Sequence, residues 1–141
     1  MFDCLAPVVL IGQLITIQPN QYHTSNPSGT LFEIQSCERG LGVNAKASPE
    51  PELYGAGVQY GLEVYDKGDW SSTVLVKGGM SHSGIAYREL PMQTQFETGV
   101  QVLVGYEQLR FGVEWWHMSN AGLQQPNIGL DMLVFQSGWG F

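Results

Sequence analysis

Residues 53–65 read LYGAGVQYGLEVY, and their apolar and polar positions alternate with a period of two. Tyr54, Ala56, Val58, Tyr60, Leu62 and Val64 fall on one parity, and Gly55, Gly57, Gln59, Gly61 and Glu63 on the other. Successive side chains of a strand point to opposite faces, so this segment is a strand with one apolar, aromatic face and one small or polar face. The split recurs three times. In 98–106, Val100, Val102, Val104 and Tyr106 oppose Gly99, Gln101, Leu103 and Gly105. In 109–117, Leu109, Phe111, Val113, Trp115 and His117 oppose Arg110, Gly112, Glu114 and Trp116. In 131–141, Leu133, Phe135, Trp139 and Phe141 oppose Met132, Val134, Gln136, Gly138 and Gly140. Weaker strands are expected at 6–17, 30–37, 71–78 and 83–89, about eight in all. Residues 18–29 and 44–52, each with two prolines, read as loops, and Gly105–Leu109 as a short hairpin connection.

Which face is inside follows from what the second face carries. A soluble sandwich puts apolar residues in its core and charges outside. Here the second face is mostly Gly, with an occasional Gln, Glu or Arg. Gly is a poor strand former on a free surface but fits a narrow lumen. Charged residues are only 13% of the chain, while Gly numbers 18 in 141 residues. Several strands approach the ~9–11 residues that cross a bilayer, and the chain ends Trp139-Gly140-Phe141. The expectation is an all-β fold in one domain over 1–141: an antiparallel, eight-stranded up-and-down β-barrel, apolar outside, with a polar and Gly-rich lumen.

Six Lys and Arg against 13 Asp and Glu give a net charge of −7. No basic face is available for nucleic acid, and no such partner is expected. Cys4 and Cys37 form one bridge or are plain buried thiols; spacing does not decide. No Cys/His spacing calls for a metal, and no cofactor motif is present. Leu5–Ile17 is the most apolar stretch. Asp3 precedes it without Lys or Arg and no A-x-A-like site follows, so it reads as a strand and not as a cleavable signal.

Candidate chemistry gathers in residues 117–131, HMSNAGLQQPNIGLD. His117 and Ser119 share a strand face, about 7 Å apart at Cα by the strand rise. Residues 120–129 turn the chain back, and Asp131 opens an antiparallel partner strand from which a carboxylate can meet His117. Ser, His and Asp in this order supply nucleophile, base and orienting acid, and N–H groups near Asn120, Ala121 and Gly122 can form an oxyanion hole. The same residue types also suit a plain polar strand end followed by a turn.

The run His117-Met118-Ser119-Asn120-Ala121-Gly122, then Pro126-Asn127 and Gly129-Leu130-Asp131, resembles the C-terminal signature of the lipid A 3-O-deacylases, the PagL family. Phe96–Trp116 resembles that family's preceding hairpin, while the first ninety residues carry a barrel pattern only. The resemblance implies an eight-stranded outer-membrane barrel that hydrolyses the ester at the 3-position of lipid A on its lipid-facing wall. It makes Ser119 the nucleophile, His117 the general base and Asp131 the acid, with Asn120 and Asn127 shaping the oxyanion site. The family's usual acid is Glu, so Asp131 is one methylene shorter. The implied partner is lipid A or lipopolysaccharide in the bacterial outer membrane. The rival expectation is a non-enzymatic bacteriophage virion or envelope component that keeps the barrel, its apolar wall covered by neighbouring virion proteins. His23 is expected in a solvated loop, His82 in a turn, and Trp115 on the outer face as an interface-belt aromatic or a wall of an acyl groove.

Overall fold

The computed structural model describes residues 7–16, 28–38, 40–49, 52–83, 94–119 and 129–141. These form eight strands: β1 (Val8–Thr16), β2 (Ser28–Glu38), β3 (Leu41–Pro49), β4 (Glu52–Lys67), β5 (Trp70–Ser83), β6 (Thr94–Tyr106), β7 (Leu109–Ser119) and β8 (Leu130–Gly140). Each pairs antiparallel with the next, and β8 returns to β1, closing an all-β barrel in simple up-and-down order. Closure leaves the sheet without a free edge, which is what lets a β-fold present an apolar wall without polymerising through it.

The alternation predicts the two faces correctly. Val58, Leu62, Val100, Phe111, Val113 and Phe135 point outward and are exposed. Gln59, Gln101, Glu114 and Gln136 point inward and are buried. The lumen is filled, not open. Leu14, Leu31, Leu53, Trp116, Met118, Leu130, Met132 and Val134 pack together in it, and Val8, Leu10, Leu75 and Leu103 form a second apolar cluster.

A charged layer completes the interior. Glu114 accepts from Lys46 at 2.5 Å and from Lys77 at 3.0 Å. Lys77 also bonds Glu33. Gln136 Nε2 donates to Glu33 at 2.6 Å and Gln101 Nε2 to Gln136 at 2.5 Å. Trp116 Nε1 donates to Glu97 at 2.9 Å, and Lys46 sits 4.5 Å over the Trp116 ring. Buried charges persist only when paired and hydrogen-bonded, and these are. The inward glycines make the room: a Cβ on Gly55 would stand 2.4 Å from Glu97 Oε2, one on Gly99 3.1 Å from Glu114 Oε1, and one on Gly140 2.8 Å from Arg110 Nη2. Arg110 turns back to donate to the carbonyls of Glu107 and Leu109, at 2.7 and 2.8 Å.

Two sequence readings need correction. Residues 44–52 are not a loop: β3 runs through Pro49 and β4 starts at Glu52. Asn44, Lys46 and Ser48 look like loop residues, but their polarity belongs to the buried lumen face, with Val43 and Ala45 outside. Pro49 is tolerated because it ends the strand. His82 is not in a turn either. It lies near the end of β5, exposed, its Nδ1 3.2 Å from Thr94 Oγ1. The strand expected at 83–89 falls, beyond Ser83, outside the described residues, as do His23 and Cys4. The strand expected at 6–17 is present as Val8–Thr16.

The connections β2–β3, β4–β5 and β6–β7 are tight and lie at the same end as the chain's first and last described residues, where Phe141 N bonds Pro7 O at 3.1 Å. The last residues of β1, β3, β5 and β7 (Thr16, Pro49, Ser83 and Ser119) and the first of β2, β4, β6 and β8 (Ser28, Glu52, Thr94 and Leu130) lie at the opposite end. Ser119 ends β7 and Leu130 opens β8 at that second end, which is where the candidate site falls.

Candidate active site

His117 and Asp131 are direct cross-strand partners in the β7–β8 register. Directly opposed residues on one face of an antiparallel pair have Cβ atoms ~5 Å apart, near enough for a short acid to reach an imidazole. The Nδ1 of His117 lies 2.7 Å from Oδ1 of Asp131. A carboxylate only accepts, so Nδ1 carries the proton and Nε2 is left as the acceptor. Both side chains are partly open, 28% and 21% exposed, on the outward parity of the barrel wall. The missing methylene of Asp131 therefore does not keep it from the histidine.

Ser119 stands two residues beyond His117 on the same face, half-buried, and pairs across to Phe96 on β6. The wall around the three residues is apolar: Met80 pairs with Phe96, Val100 with Trp115, and Trp115 with Leu133. A polar trio thus sits in a surface otherwise fit for acyl chains.

Two further residues hold the histidine. Trp115 Nε1 donates to the same Oδ1 of Asp131 at 3.1 Å. Its ring stacks on His117, centroids 5.7 Å apart and planes 21° apart. Gly129 lies against the imidazole's other edge: a Cβ there would be 2.6 Å from Cε1 and 3.2 Å from Nε2. Gly129 also has φ of +82°, a conformation that side chains rarely adopt. Sequence reasoning placed Trp115 on the right face but as a belt or groove residue. Its partnership with Asp131 depends on the β7–β8 register, which parity alone does not fix. Asn120, Ala121, Gly122 and Asn127, the expected oxyanion residues, lie outside the described residues. Among the described residues no cluster of His, Cys, Asp and Glu could hold a metal ion.

Residues 78–139 match the family model described as lipid A 3-O-deacylase (PagL). The match covers the end of β5, β6, β7 and nearly all of β8, and bears out the resemblance read from His117 to Asp131. No curated protein matches the chain in sequence. Among solved structures, the chain is similar to Ail, the attachment invasion locus protein of Yersinia pestis, in complex with the heparin analogue sucrose octasulfate. The identity is 12% and the TM-score 0.50, with 96% of this chain and 97% of that chain covered. A second crystal structure of Ail has a TM-score of 0.49 at 10% identity, with the same coverage. At such identity the likeness is one of barrel fold.

Proposed function

We propose that this chain, matched from residue 78 to 139 by the lipid A 3-O-deacylase family, is an ester hydrolase that removes an acyl chain from lipid A. It works on the outer wall of a barrel set in the bacterial outer membrane. The observation that carries the reading is the 2.7 Å contact of His117 Nδ1 with Asp131 Oδ1 on the apolar outward face, with Ser119 one alternation away. The exposed apolar band supports the membrane setting, as do the aromatics at the tight-turn end, where Trp70 and Tyr106 pack at 4.8 Å.

In the proposed mechanism, His117 Nε2 takes the proton of Ser119 Oγ as that oxygen attacks the ester carbonyl carbon. Asp131 holds the imidazole tautomer and balances the imidazolium without taking the proton. The tetrahedral oxyanion needs hydrogen-bond donors, a role the resemblance gives to Asn120, Ala121, Gly122 and Asn127, which lie outside the described residues. Collapse expels the sugar alkoxide, which takes the proton from His117 and leaves an acyl-Ser119. Water, deprotonated by His117, attacks that acyl group and releases the fatty acid, returning the proton to Ser119.

The test is release of free fatty acid from lipopolysaccharide by the purified chain in detergent micelles. Ser119→Ala and His117→Ala are each expected to abolish release, since a serine hydroxyl is a weak nucleophile without its base. Both variants should keep the barrel, measured as the heat-dependent mobility shift of a closed barrel on gels. A folded wild-type chain that releases no fatty acid would favour a structural role in an envelope or virion.

A further inference from the structure

We propose that Trp115 is a positioning residue for this site, fixing Asp131 and, through it, the imidazole of His117. The consequence for rate rests on the esterase reading above; the contact itself does not.

Asp131 reaches His117 through a single bond at Oδ1. One bond leaves the carboxylate free to pivot about it, and the imidazole free to follow. Trp115 removes that freedom twice. Its indole N–H binds the same oxygen at 3.1 Å, from the position one outward step along β7 from His117. Its ring then lies under the imidazole at 5.7 Å, tilted by only 21°. The acid and the base are thus both referenced to one rigid aromatic plane, and Gly129 closes the other edge of the ring.

The choice of donor is chemically apt. A carboxyl group in an apolar wall needs hydrogen-bond partners for its oxygens. A Lys or Arg would supply one but would compete with the imidazolium for the carboxylate's charge. An indole donates and carries no charge. A tryptophan serving as an interface anchor presents its N–H to water or headgroups. This one turns its N–H to a side chain of the neighbouring strand while the residue as a whole stays 38% exposed, so its placement follows the acid.

Trp115→Phe separates the roles, because it keeps an aromatic ring and loses the N–H. With lipopolysaccharide in detergent micelles as the probe, kcat is expected to fall about ten- to a hundredfold, the worth of one hydrogen bond to a charged group. KM should stay unchanged, since the lost bond does not touch substrate. In an Asp131→Asn background the same substitution should cost much less, because its target is already compromised. The direct readout needs no activity. In 15N-labelled protein the Trp115 indole N–H should exchange slowly with water, and Asp131→Ala should release it. A Trp115→Phe chain with wild-type kcat would overturn the proposal. So would a loss of equal size with and without the Asp131 carboxylate, or an indole signal indifferent to Asp131→Ala. If the wild-type chain cleaves no ester, the esterase reading falls and the indole signal alone decides whether Trp115 holds Asp131.

Discussion

Lys46 on β3 and Glu114 on β7 meet across the full width of the barrel, Nζ to Oε1 at 2.5 Å, from strands four places apart in a ring of eight. The bond is a strut between opposite walls. Glu114 holds Lys77 as well, at 3.0 Å, so one carboxylate answers two buried ammonium groups. Glu114→Gln leaves Lys46 without its closest counter-charge and Lys77 with Glu33 alone. The expected cost is about 3–5 kcal/mol, as for other buried pairs broken from one side. It should appear as a lower urea midpoint for unfolding in detergent, with the closed barrel still forming at low urea.

Asp131→Glu asks whether the shorter acid is a handicap. The family's usual Glu makes a gain from restoring the methylene plausible on sequence grounds. The 2.7 Å contact already closes the gap, and Trp115 binds the same oxygen. An extra methylene must displace one of these bonds. The variant is expected to hydrolyse lipopolysaccharide more slowly than wild type, by up to about tenfold for one weakened hydrogen bond. A rate above wild type would show that Asp131 is out of position.

Gly129→Ala tests the other side of the imidazole. The added methyl would lie 2.6 Å from Cε1 of His117, and the residue would have to keep φ at +82°. Either the ring moves or the start of β8 does. The backbone strain is worth roughly 1 kcal/mol, too little to open the barrel. Hydrolysis should fall much more steeply than stability, measured as fatty-acid release against the urea midpoint. Equal losses in both would make Gly129 a folding residue alone.

The barrel was legible wherever the outward face was strongly apolar. Tyr54 to Val64 and Leu109 to Trp115 read directly as strands, because alternation survives when one face meets an apolar surround. β3 was hidden because its inward Asn44, Lys46 and Ser48 are polar and its outward Ala45 and Ala47 are small, so neither face stands out. The lumen network was invisible for a different reason. Lys46 and Lys77 look scattered along the chain, and only closure of the ring brings them to Glu114. In the site, His117 and Asp131 could be paired from the loop length between them. The role of Trp115 could not, since it depends on which residue of β8 faces which residue of β7.

His117, Ser119 and Asp131 open through the side of the barrel, while the lumen behind them is packed shut with Trp116, Met118 and Met132. On the proposed reading, substrate cannot arrive from bulk water; it drifts in along the plane of the lipid, and the product leaves the same way. The concentration that sets the rate is then a number of molecules per unit area of surface. Diluting lipopolysaccharide with inert detergent inside the same micelles should slow turnover, whereas adding more micelles of unchanged composition should leave a saturated enzyme unaffected. On that reading the outward-facing serine would make the protein an enzyme of a surface, its output following how crowded that surface is with its own lipid.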